Sequence, residues 1–335
     1  MLVWAPLSSA NAMMVPRAFS LPLLVVALLA AGLARADDYP DRAVRFIVPF
    51  GAGGPTDVFT RVLGEELRKV LNQPLVMENR PGAGTVIGTE VASKAAPDGY
   101  TLLMISATQT VNETLIPNKA YQLMRDFVPV AQLFHSELVM VVPPSLGVST
   151  AKEFIALAKA KPNQLNYASS GVGSNYHMAG ELFKNLTGTE IVHVPYRGSS
   201  GARTDILAGN VQMMFDSIPT MAPFIEAGKV KALGTSGKTR SVALPDVPTL
   251  AEAGVPGYEA TIWIGMMAPA GTPQPIVDRL NREINKIISR PDIKETWEKQ
   301  DAKPDPMTSA EFGAHIEAEI AKWAKLIKAN DIKAQ

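Results

Sequence analysis

The sequence predicts an α/β protein of two lobes, because short β-branched runs alternate with amphipathic helical stretches from Tyr39 onward. Such alternation is typical of parallel sheets covered by helices on both faces. Stiff, turn-rich sequence interrupts it at Pro143-Pro144 and at residues 268–273. We therefore expect two crossings between the lobes, near residues 139–144 and 263–269. A single large doubly wound domain is the alternative.

The elements are predicted in order along the chain from these periodicities. Strands are expected at residues 44–50, 75–78, 102–106, 138–142, 166–169, 192–196, 213–216 and 231–235. Helices are expected at residues 56–71, 85–95, 151–161, 176–187, 201–208 and 218–227, and two more with apolar stripes at 275–289 and 309–330. Lobe one would comprise residues 37–139 with 264–335, and lobe two residues 140–263.

Residues 1–36 have the pattern of a secretory signal peptide. Arg17 precedes an apolar run over residues 21–33, and Ala34-Arg35-Ala36 is a small-x-small cleavage site. The run is shorter than the ~20 apolar residues that a membrane-spanning helix needs. We expect an exported protein, cleaved near Ala36 and located in the periplasm. The long stretch before Arg17 leaves Met13 or Met14 open as the true start.

Charge and cysteine content exclude several classes of function. The chain has 32 basic and 32 acidic residues, and removing the signal peptide takes away only Arg17 and Arg35. This balance gives no reason to expect nucleic acid or an acidic membrane as a partner. Cysteine is absent, which excludes disulfides, thiolate metal sites, cysteine nucleophiles and a lipoprotein anchor. The histidines, at positions 135, 177, 193 and 315, lack metal-ligand spacing, so no metal or cofactor is predicted.

Two strand-to-helix turns of similar chemistry lie in different halves of the chain. The first, residues 46–57, contains Gly51-Ala52-Gly53-Gly54, and the second, residues 165–175, contains Ser169-Ser170-Gly171. Each opens a helix, whose unpaired N–H groups and dipole favour an anion. Ligands of open parallel sheets lie beyond the carboxyl ends of the strands. Two such turns facing each other predict a clamp for a small carboxylate in a small, polar pocket.

The glycine-rich turns do not match the motifs of nucleotide-binding proteins or hydrolases. Residues 51–54 lack the lysine and the serine or threonine of a P-loop. Residues 82–88 nearly match a dinucleotide-binding fingerprint, but the last glycine does not stand at the position that the motif requires. No Gly-x-Ser-x-Gly elbow occurs, so a periplasmic hydrolase lacks its nucleophile–base arrangement, and Ser174 is the serine on which to test it.

Four polar side chains near the turns have roles that the sequence suggests. Asp57 is expected to cap the helix that it opens, or to hold a bridging water. Arg197 is a ligand-binding arginine, a solvated arginine, or the partner of Asp205 or Asp216. Asp216 ends an apolar strand, so we expect it to be half-buried and hydrogen-bonded. His177, in the first turn of the second helix, either packs or hydrogen-bonds the ligand.

The order and spacing of many short motifs resemble the extracytoplasmic solute-binding receptors of tripartite tricarboxylate transporters, the Bug-type family. The resemblance covers essentially the whole mature chain. It rests on Tyr39-Pro40, Ile47-Val48-Pro49-Phe50 with Gly53-Gly54 and Asp57, Asn79-Arg80-Pro81-Gly82-Ala83-Gly84, residues 96–102, Ser169-Ser170-Gly171 with Gly173-Ser174 and His177, His193-Val194-Pro195-Tyr196-Arg197-Gly198, Met214-Phe215-Asp216, residues 245–257 and residues 268–273.

The resemblance implies a type II periplasmic-binding-protein fold that closes on a small carboxylate and delivers it to membrane permease subunits of a tripartite transporter. It implies no enzyme activity, and a monomer is the simplest state. A sensor that feeds a signalling partner is the alternative. Thr85 and residues 108–110 depart from the common pattern, so a di- or tricarboxylate, an aromatic acid and an amino acid all stay open as ligands.

Two loops, residues 50–57 and 169–174, would grip one carboxylate as a pincer, if the family pattern is carried over residue by residue. The ligand-binding residues that it implies are Phe50, Ala52, Gly53, Gly54, Thr56, Asp57, Ser106, Thr108, Ser169, Ser170, Gly171, Ser174, His177, Tyr196, Arg197 and Asp216.

Overall fold

The computed structural model describes residues 39–196 and 198–334. The predicted signal peptide and Arg197 lie outside the described residues. The strands are β1 (Val44–Val48), β2 (Leu75–Asn79), β3 (Thr101–Ser106), β4 (Phe127–Ser136), β5 (Leu138–Val142), β6 (Asn166–Ser169), β7 (Val192–Pro195), β8 (Met213–Ser217), β9 (Lys231–Thr235), β10 (Ile262–Pro269) and β11 (Lys303–Pro304).

Helices alternate with the strands over most of the chain. They are α1 (Pro55–Leu71), α2 (Val86–Ser93), α3 (Ala107–Leu115), α4 (Leu123–Asp126), α5 (Ala151–Ala160), α6 (Asn175–Thr187), α7 (Ser199–Ala208), α8 (Ile218–Glu226), α9 (Gln274–Ile288), α10 (Pro291–Glu298) and α11 (Ser309–Ala329). Over the described part of the chain, none of these helices is long and apolar enough to cross a bilayer.

The strands form two separate sheets, which confirms the predicted α/β class with two lobes. The six-stranded sheet has the order β11-β4-β10-β3-β1-β2, and the five-stranded sheet has the order β7-β6-β8-β5-β9. Each sheet is mixed, so the expectation of parallel sheets is wrong for part of each. Strand β10 runs antiparallel to β3 and β4, and β5 runs antiparallel to β8 and β9. The chain enters both β5 and β10 directly from the other sheet. Neither strand is preceded by the crossover helix that usually connects parallel neighbours.

The chain passes between the sheets at two points. Glu137 alone separates β4 from β5, and the return is completed at Ile262, where β10 begins. Both passages are therefore made by extended chain that continues directly into a central strand. The lobe boundaries suggested by the sequence, residues 37–139 with 264–335 and residues 140–263, stay a prediction.

Several elements were not predicted from the sequence. Strand β4 contains Pro129 and polar residues, and β10 was interpreted as a crossing. Helix α3 is rich in threonine, a poor helix former. It is stabilised by a capping box in which the Ser106 hydroxyl accepts from the N–H of Thr108 and the Gln109 side chain bonds the N–H of Ser106. Helix α10 and the short strand β11 were also missed.

Each sheet has its own buried core, and the last helix contacts both. Phe312 and Ile316, at the start of α11, pack with the six-stranded sheet around Trp263. Further along the same helix, Trp323 and Leu326 pack with the core of the five-stranded sheet. Helix α11 therefore connects the two cores, although the sequence assigned it to lobe one alone.

Candidate functional site

Four helices begin beside one cavity of about 580 Å³, a volume in the range of small-molecule sites. They are α1, α3, α6 and α8, which follow strands of both sheets. Their first-turn N–H groups have no acceptor within the helix. The cavity is lined by Phe50, Gly53, Thr56, Val58, Phe59, Ser106, Thr108, Phe134, Ser136, Ser170, Ser174, Asn175, Tyr176, Ser217, Pro219, Thr220, Ile262, Ile264, Gln300 and Ala302.

The first loop is held in shape by Asp57. Its carboxylate is buried and accepts from the backbone N–H of Gly53 (2.8 Å), from Nε of Arg61 (2.9 Å) and from Nδ2 of Asn79 (2.9 Å). The Arg61 guanidinium, together with the Gly53 and Asn79 donors, lowers the pKa of Asp57 to about 2 against the opposing effect of burial. Asp57 was expected to cap the helix or to hold a bridging water. It bonds the loop ahead of the helix instead, and the N-cap residue Gly54 offers no side chain.

The second loop is held by a serine and two histidines. Oγ of Ser169 accepts from the N–H of Gly171 (3.1 Å) and lies 2.7 Å from Nε2 of His193. Nδ1 of His177 accepts from the N–H of Gly173 (3.0 Å). The amides in the middle of this loop are therefore used inside the protein, as the Gly53 amide is in the first loop.

The two imidazoles behind the second loop are uncharged at neutral pH. Burial lowers the pKa of His177 to about 4, and the nearby Lys184 acts in the same direction. Burial also lowers the pKa of His193 to about 3. A neutral Nδ1 of His177 can accept the Gly173 N–H, whereas a protonated imidazole could only donate.

Asp216 and its hydrogen-bonding partners support the wall formed by the five-stranded sheet. Asp216 is completely buried and pairs with Nε of Arg203 at 2.9 Å. It also accepts from the Tyr176 hydroxyl and from the N–H of Ser217. Burial raises the pKa of Asp216, and the Arg203 guanidinium opposes that effect. Asp216 was expected to be half-buried; it lies deeper and positions Tyr176 and Ser217.

The structure divides the predicted site residues into two groups. Those in the cavity wall are Phe50, Gly53, Thr56, Ser106, Thr108, Ser170 and Ser174. The rest of those described lie beside or behind the wall and are Ala52, Gly54, Asp57, Ser169, Gly171, His177, Tyr196 and Asp216. The Tyr196 hydroxyl, for example, bonds Asp205, and His177 is buried behind its loop. Arg197 is outside the described residues.

Sequence reasoning missed most of the apolar part of the wall, including Phe59, Phe134, Ile262 and Ile264. Phe134 belongs to β4 and both isoleucines to β10, strands that were not predicted. The small, polar pocket expected from the sequence therefore has an apolar part as well. A strand-end rule could not have found these residues, because they lie within strands or helices and not at their carboxyl ends.

Ser169 and His193 have the distance of a nucleophile and its base, but their position excludes that role. Ser169 is completely buried, and its hydroxyl is bonded inside the loop. It is not part of the cavity wall, so a substrate could not reach it. Over residues 39–196 and 198–334, no group of three or more His, Asp or Glu side chains could hold a metal ion.

Comparison with known proteins agrees with this geometry. The family described as the tripartite tricarboxylate transporter family receptor matches residues 59–332. The chain belongs to this family. A relative, Protein BugT of Bordetella pertussis, is 38% identical over 318 residues, covering 93% of this chain and 98% of the relative.

Solved structures are similar over nearly their whole length. The receptor resembles Rpa4515 of R. palustris, solved with adipate, with a TM-score of 0.77 and 34% identity over 88% of this chain and 99% of that one. It resembles MatC of Rhodopseudomonas palustris, solved with bound malate, with a TM-score of 0.73 and 32% identity over 86% and 100%. The periplasmic binding protein BugD gives a TM-score of 0.74 and 32% identity over 89% and 100%. Receptors of this family bind solutes and are not enzymes.

Proposed function

We propose that this receptor binds a small carboxylate between its two lobes and delivers it to the membrane permease subunits of a tripartite transporter. The observation that carries the proposal is the convergence of four helix N-termini on one cavity. Two of them, α1 and α8, begin without a side-chain cap, so their first-turn N–H groups stay available to an anion. Adipate and malate, in the similar structures, are carboxylates.

The carboxylate would be bound by helix starts more than by loop centres. The N–H groups of Gly53, Gly171 and Gly173 already donate to side chains. The first-turn N–H groups of the uncapped helices α1 and α8 remain, with the hydroxyls of Thr56 and Ser170. Asp57, Ser169 and His177 would act indirectly, by fixing the loop shapes. Each charge-assisted hydrogen bond strengthens when the cleft closes and water is excluded.

Closure would be a rotation about the two passages of chain at Glu137 and before Ile262, with lobes at residues 37–139 with 264–335 and 140–263. Helix α11, which packs on both cores, would limit the amplitude. Export would depend on the signal peptide of residues 1–36, cleaved near Ala36, and the mature receptor would act as a periplasmic monomer.

The decisive experiment is mass spectrometry of the small molecules released from natively purified receptor, followed by calorimetry with a panel of carboxylates. We expect saturable binding of one acid class with a Kd in the micromolar range or below. A folded, ligand-free receptor that binds no acid in the panel would overturn the proposal.

Arg197 is tested separately. If the helix starts dominate, Arg197→Ala weakens binding tenfold or less, which is about 1.4 kcal/mol. A loss of a hundredfold or more would make the arginine the principal anion contact.

A further inference from the structure

The cavity wall contains no charged side chain among the described residues that line it. Its polar groups are hydroxyls and amides, and some of these are engaged elsewhere. Ser136 donates to Asp301, and the Gln300 amide donates to a backbone carbonyl. A ligand carboxylate placed away from the helix starts would lose its hydration without gaining a cationic partner, which is unfavourable.

The wall changes from polar to apolar along one line across the six-stranded sheet. Ile264 of β10 is paired in register with Ser106 of β3 on one side and with Phe134 of β4 on the other. Neighbouring strands are about 4.8 Å apart, so the distance from Ser106 to Phe134 is about 10 Å. The start of α3 is at the polar end of this line, because Ser106 caps that helix.

The apolar end is backed by a rigid aromatic cluster. The rings of Phe59 and Phe134 have centroids 4.4 Å apart, and Trp297 packs edge-on against both, at 5.3 and 5.5 Å. Trp297 is completely buried and Phe134 nearly so. Because these rings are closely packed and buried, this end of the cavity favours an apolar group.

Resting on the proposed function, we propose that the ligand is a carboxylate with one anionic end and an uncharged apolar body, aromatic or aliphatic. The carboxylate lies against the helix starts, and the body lies over Ile264 and Phe134. Acids with a second or third charge, or with hydroxyls along the body, are poorer ligands because Ile264 and Phe134 offer them no hydrogen bond and no described wall residue carries a charge.

Calorimetry on the ligand-free receptor at one pH and ionic strength tests this selectivity. The probes are benzoate, 3-phenylpropionate and hexanoate against malate and citrate. We expect at least one apolar acid to bind ten times more tightly than either polyacid. Tighter binding of malate or citrate overturns this inference and leaves the proposed function standing. If none of these five acids binds, this inference fails, and the wider panel of carboxylates decides the proposed function.

Variants of the apolar wall locate the body of the ligand. Ile264→Thr and Ile262→Thr each place a hydroxyl in the wall and remove one methyl group, and we expect each to weaken binding of the best apolar acid at least fivefold. Val76→Thr, at an exposed position on strand β2 and remote from the wall, is the matched control and should bind as the wild type does. Thermal unfolding shows that each variant is folded. Unchanged affinity in a folded Ile264→Thr or Ile262→Thr overturns the inference.

Discussion

The imidazole of His177 stacks on that of His193, with ring centroids 3.9 Å apart and planes within 11° of parallel. Each ring also bonds the second loop, His177 through the Gly173 N–H and His193 through Ser169. The stacked pair can hold at most one positive charge, because two imidazolium cations at this distance would repel each other. The Gly173 N–H needs an unprotonated Nδ1 on His177, so the shape of the second loop depends on that ring staying neutral.

Stability should fall as the pH falls from about 6.5 toward 4. The pKa of His177 is lowered to about 4 and that of His193 to about 3, whereas both are near 6.5 in the unfolded chain. The unfolded state thus binds more protons than the folded state in this range. Each imidazole therefore lowers the unfolding free energy by about 1.4 kcal/mol for each pH unit by which the pH falls. Denaturant unfolding at pH 7 and pH 5, with ligand affinity measured alongside, checks this.

Two conservative variants isolate the histidines from other groups. His177→Asn and His193→Gln keep a hydrogen-bonding atom near the imidazole nitrogen but cannot be protonated. The buried Asp216 and Asp301, whose pKa values are raised, act with the opposite sign, so only the difference from wild type is used. The double variant should have a flatter pH dependence between 6.5 and 5. An identical slope would contradict the assignment.

Asp57→Asn should loosen the first loop. The carboxylate accepts from Gly53, Arg61 and Asn79. These charge-assisted hydrogen bonds stabilise the loop more than the neutral amide of the asparagine variant can. We expect a loss of about 2 kcal/mol in unfolding free energy and weaker ligand binding. Because the pKa of Asp57 is about 2, the wild type keeps this stability above pH 3.8 and loses it as the pH falls toward 2. Asp292→Asn, in an exposed ion pair, is the control and should change little.

The neighbouring glycines of the first loop offer a matched pair of substitutions. Gly53 has φ +77°, whereas Gly51 does not have a positive φ, and a Cβ at either position meets no atom within 4 Å. Gly53→Ala therefore adds backbone strain alone, about 1 kcal/mol, and we expect roughly fivefold weaker ligand binding. Gly51→Ala should bind as the wild type does. Equal affinities for the two variants, measured by calorimetry, would show that the loop shape does not matter to the site.

The sequence predicted the site best where local chemistry decides the structure. Glycine and serine at the ends of β1 and β6 point to strand-to-helix turns, because few other residues fit there. Ser170 and Ser174 lie in the second of these turns, whereas Ser106 and Thr108 were implied by the family resemblance, and all four line the cavity.

The remainder depends on tertiary contacts that no local pattern records. Phe134 and Ile264 line the cavity because β4 and β10 pair beside β3, and that pairing joins residues far apart in the chain. The role of Asp57 is set by Arg61 and Asn79, the latter on another strand. His177 and His193 form one unit only after β6, β7 and α6 assemble.

The last prediction concerns the passage between the sheets. Glu137 is buried there, and its Oε1 lies 2.5 Å from Nζ of Lys303. Lys303→Met would leave a buried carboxylate without its cation, which should lower the unfolding free energy by about 3 kcal/mol. The double variant with Glu137→Gln removes the charge as well and should recover most of that loss, as a double-mutant cycle would measure. Lys294→Met breaks an exposed pair with Glu298 and should cost about 0.5 kcal/mol or less. If Lys303→Met is no more destabilising than Lys294→Met, the ion pair with Lys303 does not stabilise the buried carboxylate of Glu137. The passage would then be held by Asp301, which accepts from Ser136 and from the Glu137 N–H.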